Sequence, residues 1–285
     1  MNALRVLPFC GCQLGAGLHS LTTSGKVVLT TDEAGLNAAT YTMSEVLQRV
    51  RFFRGAIEIP EALRYYCNLP KTLSAGTPAL RNIEKADLVL LEPNTTLDVF
   101  FDNYALHRSQ LLTGFLDNLQ AAGGEVHRAI NSWFNQGIWG RNRQVQHEAA
   151  ETIIPALAGR VEDEYLARNL LLEAHGEEQD FEQYLESLRE FCRVVDLPIG
   201  LVTFVFEFLP DGRPMGWPAD FVENTLEAAR MLGLPVLDSA EAVNRHGVDV
   251  ALREGRRIYK DEFRPIVGEA TLEFCHKVLG HTAGH

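Results

Sequence analysis

Leu4-Arg5-Val6-Leu7-Pro8-Phe9-Cys10-Gly11-Cys12-Gln13-Leu14-Gly15 starts as a short apolar run and passes through small residues into a helical pattern. The reading is strand, turn, helix, with the strand over Leu4–Phe9. A side chain at such a turn is lifted to the carboxyl edge of a sheet and set at a helix N-terminus. Backbone N–H groups and the positive end of the helix dipole meet there, which lowers a thiol's pKa and favours bound anions. Cys12 is therefore the first residue to weigh as a functional group. At this point the alternative is equally open: a thiol that packs as a small hydrophobe.

Further along, other Val-, Ile- and Leu-rich runs alternate with amphipathic helical patterns, which implies crossover connections and a mostly parallel sheet. The strand candidates after the first are Lys26–Thr30, Asp87–Leu91, Ile199–Phe206 and Pro235–Leu237. Apolar faces at helical spacing run through Phe181, Tyr184, Leu185, Leu188, Phe191 and Val195, through Val222, Leu226 and Ala229, and through Val267, Ala270, Phe274 and Val278. A shorter stripe, Leu111, Leu112, Phe115 and Leu119, ends at Gly123-Gly124, a helix stop. The expected fold is one α/β domain over 1–285, a three-layer α/β/α sandwich. Between Thr95 and Asp196 the pattern is helical with no convincing strand. A crossover needs only about a dozen residues, so 96–196 reads as a helical insertion or cap.

The 285 residues carry a net charge of −12 and a sequence pI near 5.2, which argues against a broad nucleic-acid or anionic-membrane surface. No stretch approaches the roughly 20 apolar residues of a membrane-spanning helix, and the N-terminus lacks the pattern of a signal peptide. Five irregularly spaced cysteines, 10, 12, 67, 192 and 275, form neither a disulfide framework nor a zinc motif. A reduced cytoplasmic setting is expected, without a metal.

Polar residues cluster after the predicted strands. Asn94, in Glu92-Pro93-Asn94-Thr95, has an amide suited to an oxyanion, unless Pro93-Asn94 is only a turn. Asp238 either faces a cleft or caps the next helix. Lys260-Asp261-Glu262-Phe263-Arg264-Pro265 precedes the final helix and puts Asp261 and Arg264 three apart. His19 shares a helix face with Cys12 about 10 Å further along the axis. Trp133 to Arg143 mixes tryptophans with Asn, Gln and Arg, a composition used for sugar or nucleotide recognition. Packing of Trp133 and Trp139 is the slightly favoured reading there.

The order of these elements resembles the SGNH hydrolases: a nucleophile after strand one, an Asn after a middle strand, and Asp-x-x-His before the last helix. Phe9-Cys10-Gly11-Cys12-Gln13 is most similar to the cysteine-bearing branch with the signature Gly-Asn-Cys-Gln, the WcbI-like polysaccharide-biosynthesis proteins. The resemblance covers roughly 1–100 and 196–280. It implies an SGNH/flavodoxin-like sandwich and acyl transfer or ester hydrolysis at a sugar or polysaccharide hydroxyl, an acyltransferase or esterase, with O-acetyl transfer from acetyl-CoA or another acyl-CoA as the leading form and no tightly bound cofactor. It places Cys12 as nucleophile, Asn94 and the N–H of Gln13 as oxyanion donors, and Asp261 in the catalytic set. Gln13, Arg264, His19 and Trp139 are the expected substrate- or anion-binding residues. Two departures stand out. Cys10 and Gly11 replace Gly and Asn of the signature, and Arg264 replaces the histidine. An arginine stays protonated and cannot act as a general base, though it suits a phosphate or carboxylate. Either His19 is the base, or Cys12 is held as a thiolate without one, or the fold binds an anionic glycan or CoA-like ligand without turnover. The expected partner is a small molecule or glycan, and a homo-oligomer is compatible with the sequence. A phosphate-loop reading of Cys10–Gln13 ranks last, because the loop is poor in glycine and lacks the lysine.

Overall fold

The computed structural model describes residues 3–81, 85–209, 213–253 and 258–282. Among the described residues the strands are β1 Leu4–Phe9, β2 Val27–Leu29, β3 Leu88–Leu91, β4 Leu97–Phe101, β5 Tyr104–Ala105, β6 His175–Glu178, β7 Ile199–Val202, β8 Glu207–Phe208, β9 Pro214–Met215 and β10 Val236–Leu237. Five of them make one parallel sheet in the order β10-β7-β3-β1-β2. Its register sets Val6 opposite Leu88 and Phe9 opposite Leu91. The expected α/β/α sandwich is the fold observed. β1 lies between β2 and β3, so the chain winds one way from β1 and the other way after it. That reversal opens a crevice at the carboxyl ends of β1 and β3, where open α/β sheets bind ligands.

Both faces of the sheet are covered, which is why its strands are apolar on alternate and intervening residues alike. On one face Val6, Leu88 and Leu90 pack under the first helix, Cys12–Thr23, and the last, Arg264–Thr282. Close approach there depends on missing side chains. A Cβ at Gly17 would stand 2.9 Å from Thr271 Oγ1, and one at Gly200 would stand 2.7 Å from both Phe274 and Val278. On the other face Phe9 meets Phe191 edge-on at 5.9 Å, within the helix Phe181–Val194, beside the helix Met43–Phe53.

The chain divides into two compact units: 1–54, 76–96 and 180–285 carry the parallel sheet, and 55–75 with 97–179 form the second. The second is not purely helical. β4 pairs antiparallel with β5 and β6, alongside helices Arg108–Asn118, Gly124–Ser132, Arg143–Ile153 and Glu164–Glu173. The helix Phe181–Val194 belongs to the sheet unit. The strand expected over Ile199–Phe206 ends at Val202, and the buried Thr203, Phe204 and Val205 that follow are loop.

Candidate functional site

Three segments converge at the carboxyl edge of β1 and β3. Beyond Phe9, Cys10 is still held as if in a sheet, its N–H donating to Ala38 (3.1 Å) and its carbonyl accepting from Thr40 (3.2 Å). Gly11 is the N-cap of the first helix and Cys12 its first residue. Cys12 is exposed, whereas Cys10, Cys67 and Cys275 are buried and Cys192 is partly so. The local chemistry thus separates Cys12 from the other four thiols. Burial pushes the Cys10 thiol up, with the Glu92 carboxylate adding to the effect and Arg49 opposing it.

Gly11 brings no capping side chain, so the cap comes from the neighbouring strand. Glu92, the first residue after β3, is fully buried; Oε2 accepts from Gly11 N–H at 2.7 Å and Oε1 from Leu14 N–H at 2.8 Å. One carboxyl therefore holds both sides of the Cys12 turn. Burial pushes Glu92 up to about 8, against the two N–H bonds that favour its charged form. Asn94 is buried and anchored by its N–H to the Tyr41 carbonyl at 2.8 Å, while its Oδ1 is buried without a hydrogen-bond partner. Gly11 is needed for this close packing: a Cβ there would stand 2.6 Å from Asn94 Nδ2 and 2.9 Å from Glu92 Oε2.

The remaining sequence-derived candidates occupy varied places. Gln13 is buried, its amide donating to the Val205 carbonyl (2.7 Å) and accepting from the Val205 N–H (3.2 Å), so it ties the helix start to the loop after β7. Asp238 caps the helix Ser239–His246 through the Ala240 N–H at 3.0 Å, and also accepts from Thr203 Oγ1 at 3.0 Å. Asp261 is exposed between two arginines: Arg253 Nη2 lies 2.8 Å from each oxygen and Arg264 Nη2 2.9 Å from Oδ1. It orients two cations, and no imidazole. His19 is exposed, two helical turns beyond Cys12. Trp139 belongs to the second unit, stacked near Phe134 with the Arg108 guanidinium 4.5 Å over its ring, and Trp133 is fully buried with its N–H on the Leu171 carbonyl.

Sequence reasoning missed Glu92 and Tyr259. Tyr259 is buried, hydrogen-bonded to Ser239, and electrostatically coupled to Glu92, Cys12 and Asp238; burial pushes its hydroxyl up, so it stays protonated. Neither carried a signal, because a glutamate or a lone tyrosine in sequence reads as surface or core by default. Among the described residues no group of three or more His, Cys, Asp or Glu side chains is placed to hold a metal, and no helix is long and apolar enough to cross a membrane. A cleft of about 750 Å³ lies within the second unit, between Tyr65, Tyr66, Lys71, Asp117 and Glu162.

Fold and turn together define a doubly wound α/β protein with an exposed cysteine at the helix N-terminus of its switch point. The chain belongs to the TviD N-terminal domain family, whose model matches residues 4–274. That family is linked to the biosynthesis of the Vi antigen polysaccharide, in which TviD is an acetyltransferase. No curated protein and no solved structure matches the chain.

Proposed function

We propose that this protein transfers an acyl group, most simply acetyl, from acetyl-CoA or another acyl-CoA to a hydroxyl of a sugar or polysaccharide. The supporting observation is Cys12, exposed at the first position of a helix in the β1/β3 crevice, alone among five cysteines in being so. The Cys12 sulfur attacks the thioester carbonyl and CoA leaves as its thiol. The acceptor hydroxyl then attacks the acyl-cysteine, forming the new ester and returning the proton to the thiol. The Gln13 N–H and the Asn94 amide serve the oxyanion, a contribution of roughly 3–4 kcal/mol per donor in comparable sites. Arg264, with Arg253 and Asp261, provides a cationic cluster for a phosphate-bearing donor.

A second reading, recognition of an anionic glycan or CoA-like ligand without turnover, draws on Arg264 standing where the resemblance expects a histidine. Alkylation of Cys12 followed by peptide mass spectrometry separates the two. Acyl transfer requires that acetyl-CoA protect Cys12 and leave an acetyl group on its peptide, and that Cys12→Ser abolish transfer. If acetyl-CoA protects without acetylating, the binding reading holds; transfer undiminished in Cys12→Ser removes the nucleophile role.

A further inference from the structure

Gln13, the neighbour of Cys12, grips the backbone of Val205 through both ends of its amide, at 2.7 and 3.2 Å. Phe206 follows directly and opens a short hairpin: its N–H donates to the Met215 carbonyl at 2.8 Å, and β8 pairs antiparallel with β9. The hairpin brings the chain back to Trp217, whose ring centroid lies 5.8 Å from that of Phe206 with the planes at 44°. The backbone beneath this tryptophan is fixed from behind. A Cβ at Gly216 would stand 2.6 Å from the Cβ of Phe221, which is fully buried. Trp217 itself is 43% exposed, whereas Trp133 is fully buried. An aromatic pair with one open ring is thus tied, contact by contact, to the turn that carries Cys12.

We propose that Trp217, backed by Phe206, is the platform on which the sugar acceptor of the Cys12 site stacks. Its effect on turnover rests on the acyl-transfer reading of Cys12; the stacking does not. A pyranose has a face of C–H groups with partial positive charge and a rim of hydroxyls, and an indole presents a negative π face to such a surface. Contact between the two removes apolar area of both from water. The acyl-CoA donor makes a different demand, because its phosphates call for cations, which Arg253 and Arg264 supply. Along the chain the charged residue nearest to Trp217 is Asp220, exposed at the start of the helix Phe221–Leu232, with its side chain not used in capping. A carboxylate there accepts from sugar hydroxyls and repels a phosphate. A protein partner would need about 800 Å² on this side, several times what one indole offers.

Iodide quenching of tryptophan fluorescence in the intact protein tests the platform, since iodide reaches an open indole and not a buried one. The probes are methyl pyranosides of the gluco, galacto and manno series and their N-acetylamino forms. At least one of them should shield the emission from iodide, in the native protein and in Cys12→Ser alike. Trp217→Ala should lose most of the quenching and all of the shielding. With the shielding pyranoside as acceptor and acetyl-CoA as donor, Trp217→Ala should raise the acceptor KM by roughly 2- to 10-fold. Acetylation of Cys12 by acetyl-CoA should be unchanged in that variant, and Trp217→Phe should recover most of the acceptor KM. Shielding by none of these sugars overturns the proposal. So does a rise in the KM for acetyl-CoA in place of the acceptor, which would assign the ring to the donor's adenine. Both results would leave acyl transfer standing, whereas transfer surviving in Cys12→Ser would remove the catalytic reading and leave the shielding in place.

Discussion

Gly11 decides whether the Cys12 turn exists in its observed form. Its φ of −85° is open to any residue, so the constraint is space, set by the Asn94 amide at 2.6 Å and the Glu92 carboxyl at 2.9 Å from an added Cβ. Both neighbours are buried and cannot swing into solvent. Gly11→Ala should therefore destabilise the protein by about 1–3 kcal/mol, as overpacking does, and change the Cys12 alkylation rate; urea unfolding and mass spectrometry measure the two. Glu92 has a different signature. Its folded-state pKa of about 8 lies above its ordinary 4.5, so the folded protein binds this proton more tightly than the unfolded chain. The resulting stabilisation is complete below about pH 4.5 and is lost as pH rises through about 8. Native stability measured against Glu92→Gln should fall across that window, by up to about 1.4 kcal/mol per pH unit. A difference that is flat with pH, or rises, would show that Glu92 does not hold its proton on folding.

The first and last helices cover one face of the sheet only because glycine lines their seam. Gly17 meets Thr271 and Val267, and Gly268 meets Ser20. A side chain at Gly17 gains up to about 1 kcal/mol of helix propensity but must displace Thr271, which is fully buried and bonded to the Val267 carbonyl at 2.8 Å. Gly17→Leu should lose about 1–2 kcal/mol net in thermal or urea unfolding; a more stable variant would mean that the seam is slack. The same helices show what a sequence discloses. β1 was legible because Val6–Phe9, four successive residues buried on both faces, leave an unmistakable apolar run after Leu4. β4 to β6 were hidden: His175-Gly176-Glu177-Glu178 has no strand character and is extended because Leu97–Phe100 pairs with it. The end of β7 was overread because Phe204 and Val205 are buried for a different reason, in the loop that receives Gln13. In the site, Cys12 was legible from the strand-to-helix turn, which is a local pattern. Glu92 was not, since its partners Gly11 and Leu14 are about 80 positions away and its burial is a property of the fold.

The second unit is interleaved with the first as two separate segments, and each begins and ends at one place. Gly76 N–H bonds to the Phe52 carbonyl at 3.1 Å, so the chain leaves after residue 54 and returns beside its departure point. Leu97 pairs directly with Glu178, so the second excursion also closes on itself. Once a loop's ends are held together, lengthening it costs only about 0.6 kcal/mol per doubling, so excursions of this size are tolerated. The two segments depend on each other. Gly114 is pressed against Tyr65 and Tyr66, His107 N–H bonds to the Tyr66 carbonyl at 2.7 Å, and Gln110 reaches Asn68 at 3.2 Å. Removing 97–179 alone would strip the packing from Tyr65 and Tyr66 and the hydrogen-bond partners from Tyr66 and Asn68. Removing 55–75 and 97–179 together, each replaced by a short Gly-Ser linker, should leave the five-stranded sheet and the Cys12 turn folded. The double deletion should melt cooperatively and still label at Cys12, while the single deletion binds a hydrophobic dye and aggregates. If the double deletion fails to fold, the sheet unit draws part of its stability from the segments removed, and the site could not be treated as belonging to the sheet unit alone.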